Sequence, residues 1–133
     1  MIKTFESQEV IMNLVCPFCC PEEIVFSNDL AFAIYDRYPV NEGHMLIITR
    51  RHVEDFWAVT REERQALGDL LEDCKKHIDK LLRPDGYNIG INCGEAAGQT
   101  VMHLHVHLIP RYIGDIDNPR GGVRGVIPSR RIY

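Results

Sequence analysis

The stretch "TVMHLHVHLIPR", residues 100–111, places three histidines at every second position of an otherwise apolar run. Because side chains alternate between the two faces of a β-strand, His103, His105 and His107 are predicted to share one face. The side chains predicted for the opposite, core-facing side are Leu104, Val106 and Leu108. Three imidazoles in a row could ligate a metal ion, supply a nucleophile with its helpers, or form a polar surface without function. Polar surfaces usually mix Ser, Thr, Lys and Glu. Histidine at every second position therefore favours a metal site or a catalytic group over a polar surface without function.

Length and composition are those of one globular domain over residues 1–133. Hydrophobic residues make up 45% and charged residues 26%, and the formal net charge of -4 gives no electrostatic reason to expect binding to a nucleic acid polymer. We recognise neither a secretory signal nor a run of about 20 apolar residues, and therefore expect a cytoplasmic protein without a membrane segment. Three of the five cysteines lie in "CPFCC", residues 16–20, which in a reducing compartment favours metal ligation or free thiols over disulfides.

Strand and helix signals alternate along the chain and indicate an α+β fold. Residues 31–50 contain two β-rich runs around "VNEGH" and are predicted to form two paired strands. The clearest helix begins after Thr60, which forms a capping box with Glu63, and should end near Pro84. We expect Trp57 to be buried between a strand and this helix.

The second half of the chain is predicted to add two more strands. Residues 87–92 are predicted as a strand, 93–99 as a loop and 100–110 as the next strand. So short a connection makes the two strands antiparallel. The tail that follows is rich in glycine, proline and arginine and is expected to be extended and only partly packed.

These segments together resemble the histidine triad (HIT) superfamily of nucleotide hydrolases and transferases. "HLHVHLI", residues 103–109, matches the triad pattern, and "NCGEAAGQT", residues 92–100, resembles the family's Asn and Gly-Gln-Ser/Thr segment before the triad. "YDRYPVNEGHMLIITRRH", residues 35–52, resembles the upstream segment, with an acidic or amide residue eight positions before a fourth histidine. The resemblance covers about residues 14–112 and leaves residues 113–133 as a C-terminal extension.

For the fold, the resemblance implies a single HIT domain. Its antiparallel sheet would have about five strands, with one long helix packed on it and the CxxC region wrapped against one edge. Family members pair through the helix and its adjacent strand, which implies a two-fold homodimer.

For the site, the resemblance implies a role for each matching residue. His105 would attack the α-phosphorus of a nucleotide and form a covalent nucleotidyl-histidine intermediate, which water or another acceptor then resolves. His107 would donate to the α-phosphate or help to protonate the leaving group, and His44 would complete a proton relay. The nucleotide-binding side chains would be Asp36 for the ribose hydroxyls, Asn92 for ribose or phosphate oxygens, Gln99 and Thr100 for phosphate oxygens, and Phe18, Ile34 and Tyr35 for the base.

A structural zinc ion is also implied, since some members hold one through a cysteine pair and two histidines. The corresponding ligands here would be Cys16, Cys19, His52 and His103. Other members lack the cysteines and need no metal. Such an ion would orient His103 and through it His105, and no cofactor is expected to take part in catalysis.

The segment "PRYIGD", residues 110–115, resembles the dinucleoside-polyphosphate (fragile-histidine-triad-like) branch of the family. The implied substrate is therefore a dinucleoside polyphosphate such as diadenosine tetraphosphate. The alternatives are phosphorolysis of the same substrate, purine nucleoside phosphoramidase activity, nucleotide binding without catalysis, and a zinc-dependent hydrolase that uses the histidine row as ligands. Arg120 and Arg124 would either clamp the outer phosphates bidentately or only solubilise the tail.

Overall fold

The computed structural model describes residues 16–133. Within this range the strands are β1 Phe26–Ser27, β2 Ala31–Tyr35, β3 Met45–Thr49, β4 Gly86–Gly90 and β5 His105–Arg111. The one long helix, α1, spans Arg61–Leu82. Four short 3-10 helices cover Phe56–Ala58, Glu95–Ala97, Gly122–Val126 and Pro128–Arg130.

All five strands form one antiparallel sheet in the order β1-β2-β3-β5-β4. This arrangement confirms the predicted α+β fold of about five antiparallel strands with one long helix. Strands β3 and β5 lie at the centre, where Leu46 is paired with His107 and Ile48 with His105. Two triad histidines therefore lie in the middle of the sheet, next to buried aliphatic residues of β3.

Helix α1 begins as the sequence predicts. The Thr60 hydroxyl accepts a hydrogen bond from the Glu63 backbone N–H, and the Glu63 carboxylate accepts one from the Thr60 N–H. The same carboxylate is almost fully buried and pairs with Arg51 at 2.6 Å, which lowers the pKa of Glu63 despite its burial. At the other end Arg83 takes a left-handed conformation, and Pro84 follows.

The sheet has one face against the helix and one face that carries the histidines. The core on the helix side combines alternate residues of β2, β3 and β5 with the apolar stripe of α1; its largest members are Met45, Ile47, Leu70, Ile78, Leu104 and Leu108. On the opposite face a smaller cluster of Phe32, Leu46 and Ile48 packs with Phe18 and Ile34. The alternation predicted for His105 and His107 is confirmed, since their neighbours Val106 and Leu108 are buried on the helix side.

The predicted strand at residues 100–110 was wrong at its beginning. Strand β5 starts only at His105, and the connection from β4 covers residues 91–104 instead of 93–99. The backbone before the strand bonds elsewhere, since the Leu104 N–H donates to the Val53 carbonyl at 2.8 Å. His103 therefore precedes the strand and is not part of a three-histidine row.

Three smaller expectations also differ from the structure. Trp57 is 74% exposed, because the short helix that carries it is capped by Asp55 on the surface. The tail is not extended, since it folds into two 3-10 helices. The CxxC segment lies at the ends of the central strands and not at an edge, because it contacts His52 after β3 and His103 before β5.

No helix within residues 16–133 is long and apolar enough to span a membrane. The homodimer and the single-domain boundaries stay predictions.

Candidate active site

His105 lies at the start of β5 with its ring fixed by the backbone. Its Nδ1 is 2.8 Å from the carbonyl oxygen of His103. A carbonyl only accepts, so Nδ1 carries the proton and Nε2 presents a lone pair. The ring lies between Phe18 and His107, at centroid distances of 5.0 Å and 5.2 Å. An imidazole held in this way has the tautomer that nucleophilic attack through Nε2 requires.

His107 and His44 form a hydrogen-bonded pair beside His105. Nε2 of His44 is 3.0 Å from Nδ1 of His107, and Nδ1 of His44 is 3.0 Å from the backbone nitrogen of Val40. Burial and the neighbouring His105 and His44 lower the pKa of His107 to about 4, which Asp36 opposes only in part. Burial also lowers the pKa of His44. Both rings are therefore neutral at neutral pH.

The turn before His44 depends on a glycine. Gly43 has φ +88°, in the left-handed region, and a Cβ at this position would lie 2.7 Å from Leu82 on the helix. Glycine therefore lets the turn take this conformation close to α1, immediately before His44.

Asp36, directly after β2, lies beside the hydrogen-bonded pair of His44 and His107. Its Oδ2 is 3.4 Å from Nε2 of His44, and its Oδ1 accepts from the Tyr38 backbone N–H at 2.9 Å. The side chain remains 16% exposed. One carboxylate oxygen thus has room to accept further hydrogen bonds from a ligand.

A pocket of about 530 Å³ opens beside this group. Polar groups at its wall come from Asp36, His44, Asn88, Asn92 and His107, and apolar ones from Tyr38, Val40, Ile89, Ile109, Val123 and Val126. The structure therefore brings the predicted Asp36, Asn92, His44 and His107 to one cavity. Part of its wall is the C-terminal 3-10 helix Gly122–Val126. The sequence singled out Arg124 in this helix, but the residues that line the pocket are Gly122, Val123, Gly125 and Val126.

Gln99 does not present its side chain to a ligand. Its Nε2 donates to the carbonyls of Glu54 and Val101 at 2.6 and 3.1 Å, and its Oε1 accepts from the Gly94 N–H at 2.8 Å. With 3% exposure, the amide has no free hydrogen-bonding position. The expectation that this side chain holds phosphate was wrong; Gln99 shapes the loop, whose end at Thr100 is exposed.

The predicted slot for a base is only partly assembled. Phe18 and Ile34 lie together on the histidine face. Tyr35, one residue further along β2, points to the helix side, where its hydroxyl is 3.0 Å from Nε2 of His77. Strand alternation forbids Ile34 and Tyr35 from lining the same slot, so the assignment of Tyr35 was wrong.

Hydrogen bonds of Arg111 and Asp115 hold the segment that follows β5 in place. Arg111 binds Asp115 through two nitrogens, at 2.8 Å each, and Asn88 through a third at 2.7 Å. Asp115 also accepts from Asn41 at 2.7 Å. The segment "PRYIGD" is therefore a structural clamp between β4, β5 and the turn before β3. Further along, the guanidinium groups of Arg120 and Arg124 both stack on the Tyr133 ring.

A second cluster, next to His105, has the geometry of a metal centre. One ligand atom each of Cys16, Cys19, His52 and His103 lies within 4.8 Å of the others. The Sγ–Nδ1 distances of 3.4, 3.1 and 3.5 Å match the roughly 3.5 Å that a tetrahedral zinc site requires between N and S ligands. The cluster could therefore bind a metal ion.

The protonation of the cluster also fits a metal. Nε2 of His103 is 2.7 Å from the Thr49 carbonyl, so its Nδ1 presents a lone pair to the cysteines. Burial and the adjacent Cys16 raise the pKa of Cys19 to about 12, so its thiol keeps the proton until a cation displaces it. Among the residues that the structure describes, a second group of converging ligand atoms consists of Asp36, His44 and His107, also within 4.8 Å of one another, and His105 belongs to neither group.

The fold and these two clusters agree with the family assignment. The model of the HIT family, described as "HIT domain", matches residues 19–114. The chain therefore belongs to the HIT family of nucleotide-processing proteins.

Among its relatives is the AP-4-A phosphorylase of Mycobacterium tuberculosis, 34% identical over 93 residues, which are 69% of this chain and 48% of that protein. The bis(5'-adenosyl)-triphosphatase of Dictyostelium discoideum is 35% identical over 96 residues, 72% of this chain and 64% of that protein. The crystal structure of a Zn-bound histidine triad family protein from Mycobacterium smegmatis aligns with a TM-score of 0.71 at 31% identity, covering 77% of this chain and 79% of the other.

Proposed function

We propose that the protein is a nucleotide hydrolase or transferase that acts on dinucleoside polyphosphates, such as diadenosine tetraphosphate, through a covalent nucleotidyl-histidine intermediate. The observation that carries this proposal is the hydrogen bond from Nδ1 of His105 to the His103 carbonyl, which leaves a lone pair on Nε2. The relatives named as a phosphorylase and a triphosphatase of adenosine polyphosphates support the substrate class.

In the proposed first step, Nε2 of His105 attacks the α-phosphorus, and the bond from phosphorus to the leaving oxygen breaks. The positive charge that develops on the ring is stabilised by the hydrogen bond to the His103 carbonyl. Nε2–H of His107 donates to the charged phosphate oxygens. Asp36 accepts from the ribose hydroxyls, and Asn92 donates to ribose or phosphate oxygens. In the second step water attacks phosphorus, and the electron pair of the N–P bond returns to His105.

The proposed metal has a structural role. Cys16, Cys19, His52 and His103 would hold zinc, which supplies a fixed anchor for the segment before β5. Because the carbonyl of His103 accepts from His105, the anchor would also hold the nucleophile in place. We further propose that the protein is cytoplasmic and forms a homodimer. Size-exclusion chromatography with light scattering would test the dimer.

Phosphorolysis is a second candidate, because a relative is named AP-4-A phosphorylase. In that reaction phosphate instead of water attacks the nucleotidyl-histidine intermediate. The chemistry of the first step would be unchanged.

One set of reactions tests the proposal. Wild type, His105→Ala and His105→Gly are incubated with diadenosine tetraphosphate and with AMP amidates, in chelator and in excess phosphate, with His77→Gln as the control substitution of a histidine outside the pocket. Turnover that survives chelation in wild type and the control, but vanishes in both His105 variants, supports the covalent mechanism. Loss on chelation with the fold intact would point to a catalytic metal. ADP formed only with added phosphate would favour phosphorolysis, and AMP binding without turnover would refute an enzymatic function.

A further inference from the structure

We propose that Asn88 is a further binding residue, which donates a hydrogen bond from Nδ2 to a phosphate oxygen beyond the α-phosphorus of the substrate. Arg111 is the positioning residue that turns the Asn88 amide in this direction. This inference rests on the proposed function and deepens it. It selects substrates whose leaving group begins with a second phosphate over substrates that lose an amine.

The orientation of the Asn88 amide follows from its bond to Arg111. A guanidinium group only donates, and Nη1 of Arg111 lies 2.7 Å from Oδ1 of Asn88. The NH2 group, Nδ2, is therefore on the other side of the amide. Within residues 16–133 the protein gives Nδ2 no acceptor, and the nitrogen is not sealed from solvent. A Cβ on Gly122 would lie 3.4 Å from Nδ2, so this glycine leaves the donor uncovered in the pocket that both residues line.

The Arg111 guanidinium is held in turn by the segment that follows β5. Two of its nitrogens bind Asp115 at 2.8 Å each. Asp115 also accepts from the Asn41 amide at 2.7 Å and from the Tyr112 backbone N–H at 3.0 Å. The bond from Arg111 holds the pKa of Asp115 well below its usual range, so the ion pair is intact at neutral pH. The motif "PRYIGD" thereby fixes the amide of a residue on the neighbouring strand.

The order of the strands places Asn88 on the side where the leaving group is expected. Asp36, the proposed ribose ligand, directly follows β2, whereas His107 is on the central strand β5 and Asn88 on the edge strand β4. A nucleotide with its ribose at Asp36 and its α-phosphate at His107 would therefore extend its next phosphate towards β4. His107 is paired with Gly90, and Asn88 is the diagonal neighbour on the same face. Diagonal neighbours lie roughly 7 to 8 Å apart in a sheet, a distance that two linked phosphate groups can bridge.

The direction along β5 leads to the same side chain. In phosphoryl transfer the attacking and leaving atoms lie roughly in line, on opposite sides of phosphorus. His105 precedes His107 on β5. Asn88 is paired with Ile109, which comes after His107. A leaving oxygen opposite Nε2 of His105 would therefore lie on the Asn88 side of His107.

The charge around this end of the pocket favours a phosphate. The wall next to Asn88 belongs to the tail, whose residues 116–133 contain four arginines and one acidic residue, in a chain with a formal net charge of -4. An anion is therefore attracted to this end of an otherwise acidic molecule. Ile109 and Val123, which line the same part of the pocket, have no side-chain donor or acceptor that would compete. The Asn88 amide can thus form a charge-assisted hydrogen bond with an ionised phosphate oxygen.

Calorimetric titration with AMP and with ADP tests the inference without turnover. Both ligands are added to the metal-loaded His105→Ala protein, which cannot form the proposed intermediate, and to the same protein with Asn88→Asp. Aspartate keeps the oxygen that Arg111 binds but replaces the NH2 donor by a carboxylate oxygen. We expect this substitution to weaken ADP binding about tenfold or more and to change AMP binding by less than about threefold. Asn118→Asp adds the same charge outside the pocket lining and should change neither.

The side-chain amide signal of Asn88 in nitrogen NMR reports the contact directly, and its loss in Asn88→Asp assigns it. ADP should shift this signal, and AMP should leave it nearly unchanged. In Arg111→Gln the amide is free to turn, so the preference for ADP over AMP should fall several-fold. An unchanged preference in a folded Arg111→Gln protein would show that Arg111 does not position Asn88.

Turnover places the phosphate in the leaving group. In Asn88→Asp with His105 intact, kcat/KM for diadenosine tetraphosphate should fall about tenfold or more. For an AMP amidate, whose leaving group has no phosphate, kcat/KM should stay within about threefold. Equal falls would show that Asn88 acts on the AMP portion that both substrates share, and would overturn the inference.

The binding results also separate this inference from the proposed function. Equal losses for AMP and ADP, or no loss for either, would overturn the role of Asn88 and leave the proposed function standing. If neither nucleotide binds before Asn88 is changed, the proposed function fails. Inorganic tripolyphosphate then decides on Asn88 by itself, since it should still shift the amide signal, and an unshifted signal would overturn the inference.

Discussion

Acidification will destabilise the protein through His107, because the folded state resists protonation of this ring. Burial, followed by the neighbouring His105 and His44, lowers its pKa from 6.5 to about 4. Between these values the unfolded chain binds a proton that the folded chain does not. The stabilising contribution is therefore complete above pH 6.5 and is lost as the pH falls towards 4.

The two pKa values give the size of the effect. At about pH 5, protonation of this ring in the unfolded chain should lower the unfolding free energy by about 2 kcal/mol. Near pH 4 the loss should be about 3 kcal/mol. The comparison should stop at about pH 5, because the carboxylates titrate mainly below it.

Urea unfolding at about pH 7.5 and pH 5 measures the effect in wild type and in His107→Gln, which cannot titrate at this position. The fall in unfolding free energy should be about 2 kcal/mol greater in wild type. The difference between the two proteins removes the contributions of groups that do not interact with His107, and leaves those of His107 and its neighbours. Equal falls would refute a partly buried His107 that stays neutral in the folded protein at about pH 5.

Three other changes should have distinct results. Thr60→Ala removes one half of the capping box of α1 and should lower the unfolding free energy by about 1 kcal/mol, measured with urea. Gln99→Leu leaves two backbone carbonyls and one backbone N–H without their hydrogen-bond partner. It should lower the unfolding free energy by at least about 2 kcal/mol and speed amide hydrogen exchange in residues 91–104. Cys19→Ala removes a proposed zinc ligand and should lower the zinc content after dialysis well below that of wild type, measured by atomic absorption.

Each of these predictions has a clear contrary result. Unchanged stability of Thr60→Ala would mean that the cap adds nothing to the packing of α1. Unchanged exchange in Gln99→Leu would mean that the loop does not depend on this amide. Equal zinc content in Cys19→Ala and in wild type would mean that the metal is bound elsewhere.

Local patterns in the sequence were sufficient for most of the elements. The helix could be predicted because its capping box and apolar spacing act within a few residues along the chain. The side of the sheet that bears His105 and His107 could be predicted because strand alternation is a property of the backbone. The family resemblance added the four residues of the metal cluster, which lie far apart in sequence but within 4.8 Å in space.

The errors arose where long-range hydrogen bonds compete with local patterns. His103 has the spacing of a strand residue, but the bond from Leu104 to Val53 keeps it outside β5. Gln99 has the position of a phosphate ligand, but three backbone groups of the loop and of Glu54 occupy its amide. Tyr35 is adjacent to Ile34 in sequence, but pleating sends it to His77 on the other side of the sheet.

The amino-acid pattern alone predicted the fold class and the histidine face, since these depend on residue type and periodicity. The family motif is the basis for proposing His105 as the nucleophile. Only the tertiary structure decides the tautomer of each histidine. Which ring nitrogen carries the proton depends on whether a carbonyl or an N–H group of another residue lies next to it. No sequence pattern marks Val40 as a partner of His44, since any residue other than proline has the same N–H. This backbone N–H leaves the proton of a neutral His44 on Nε2, which faces Nδ1 of His107.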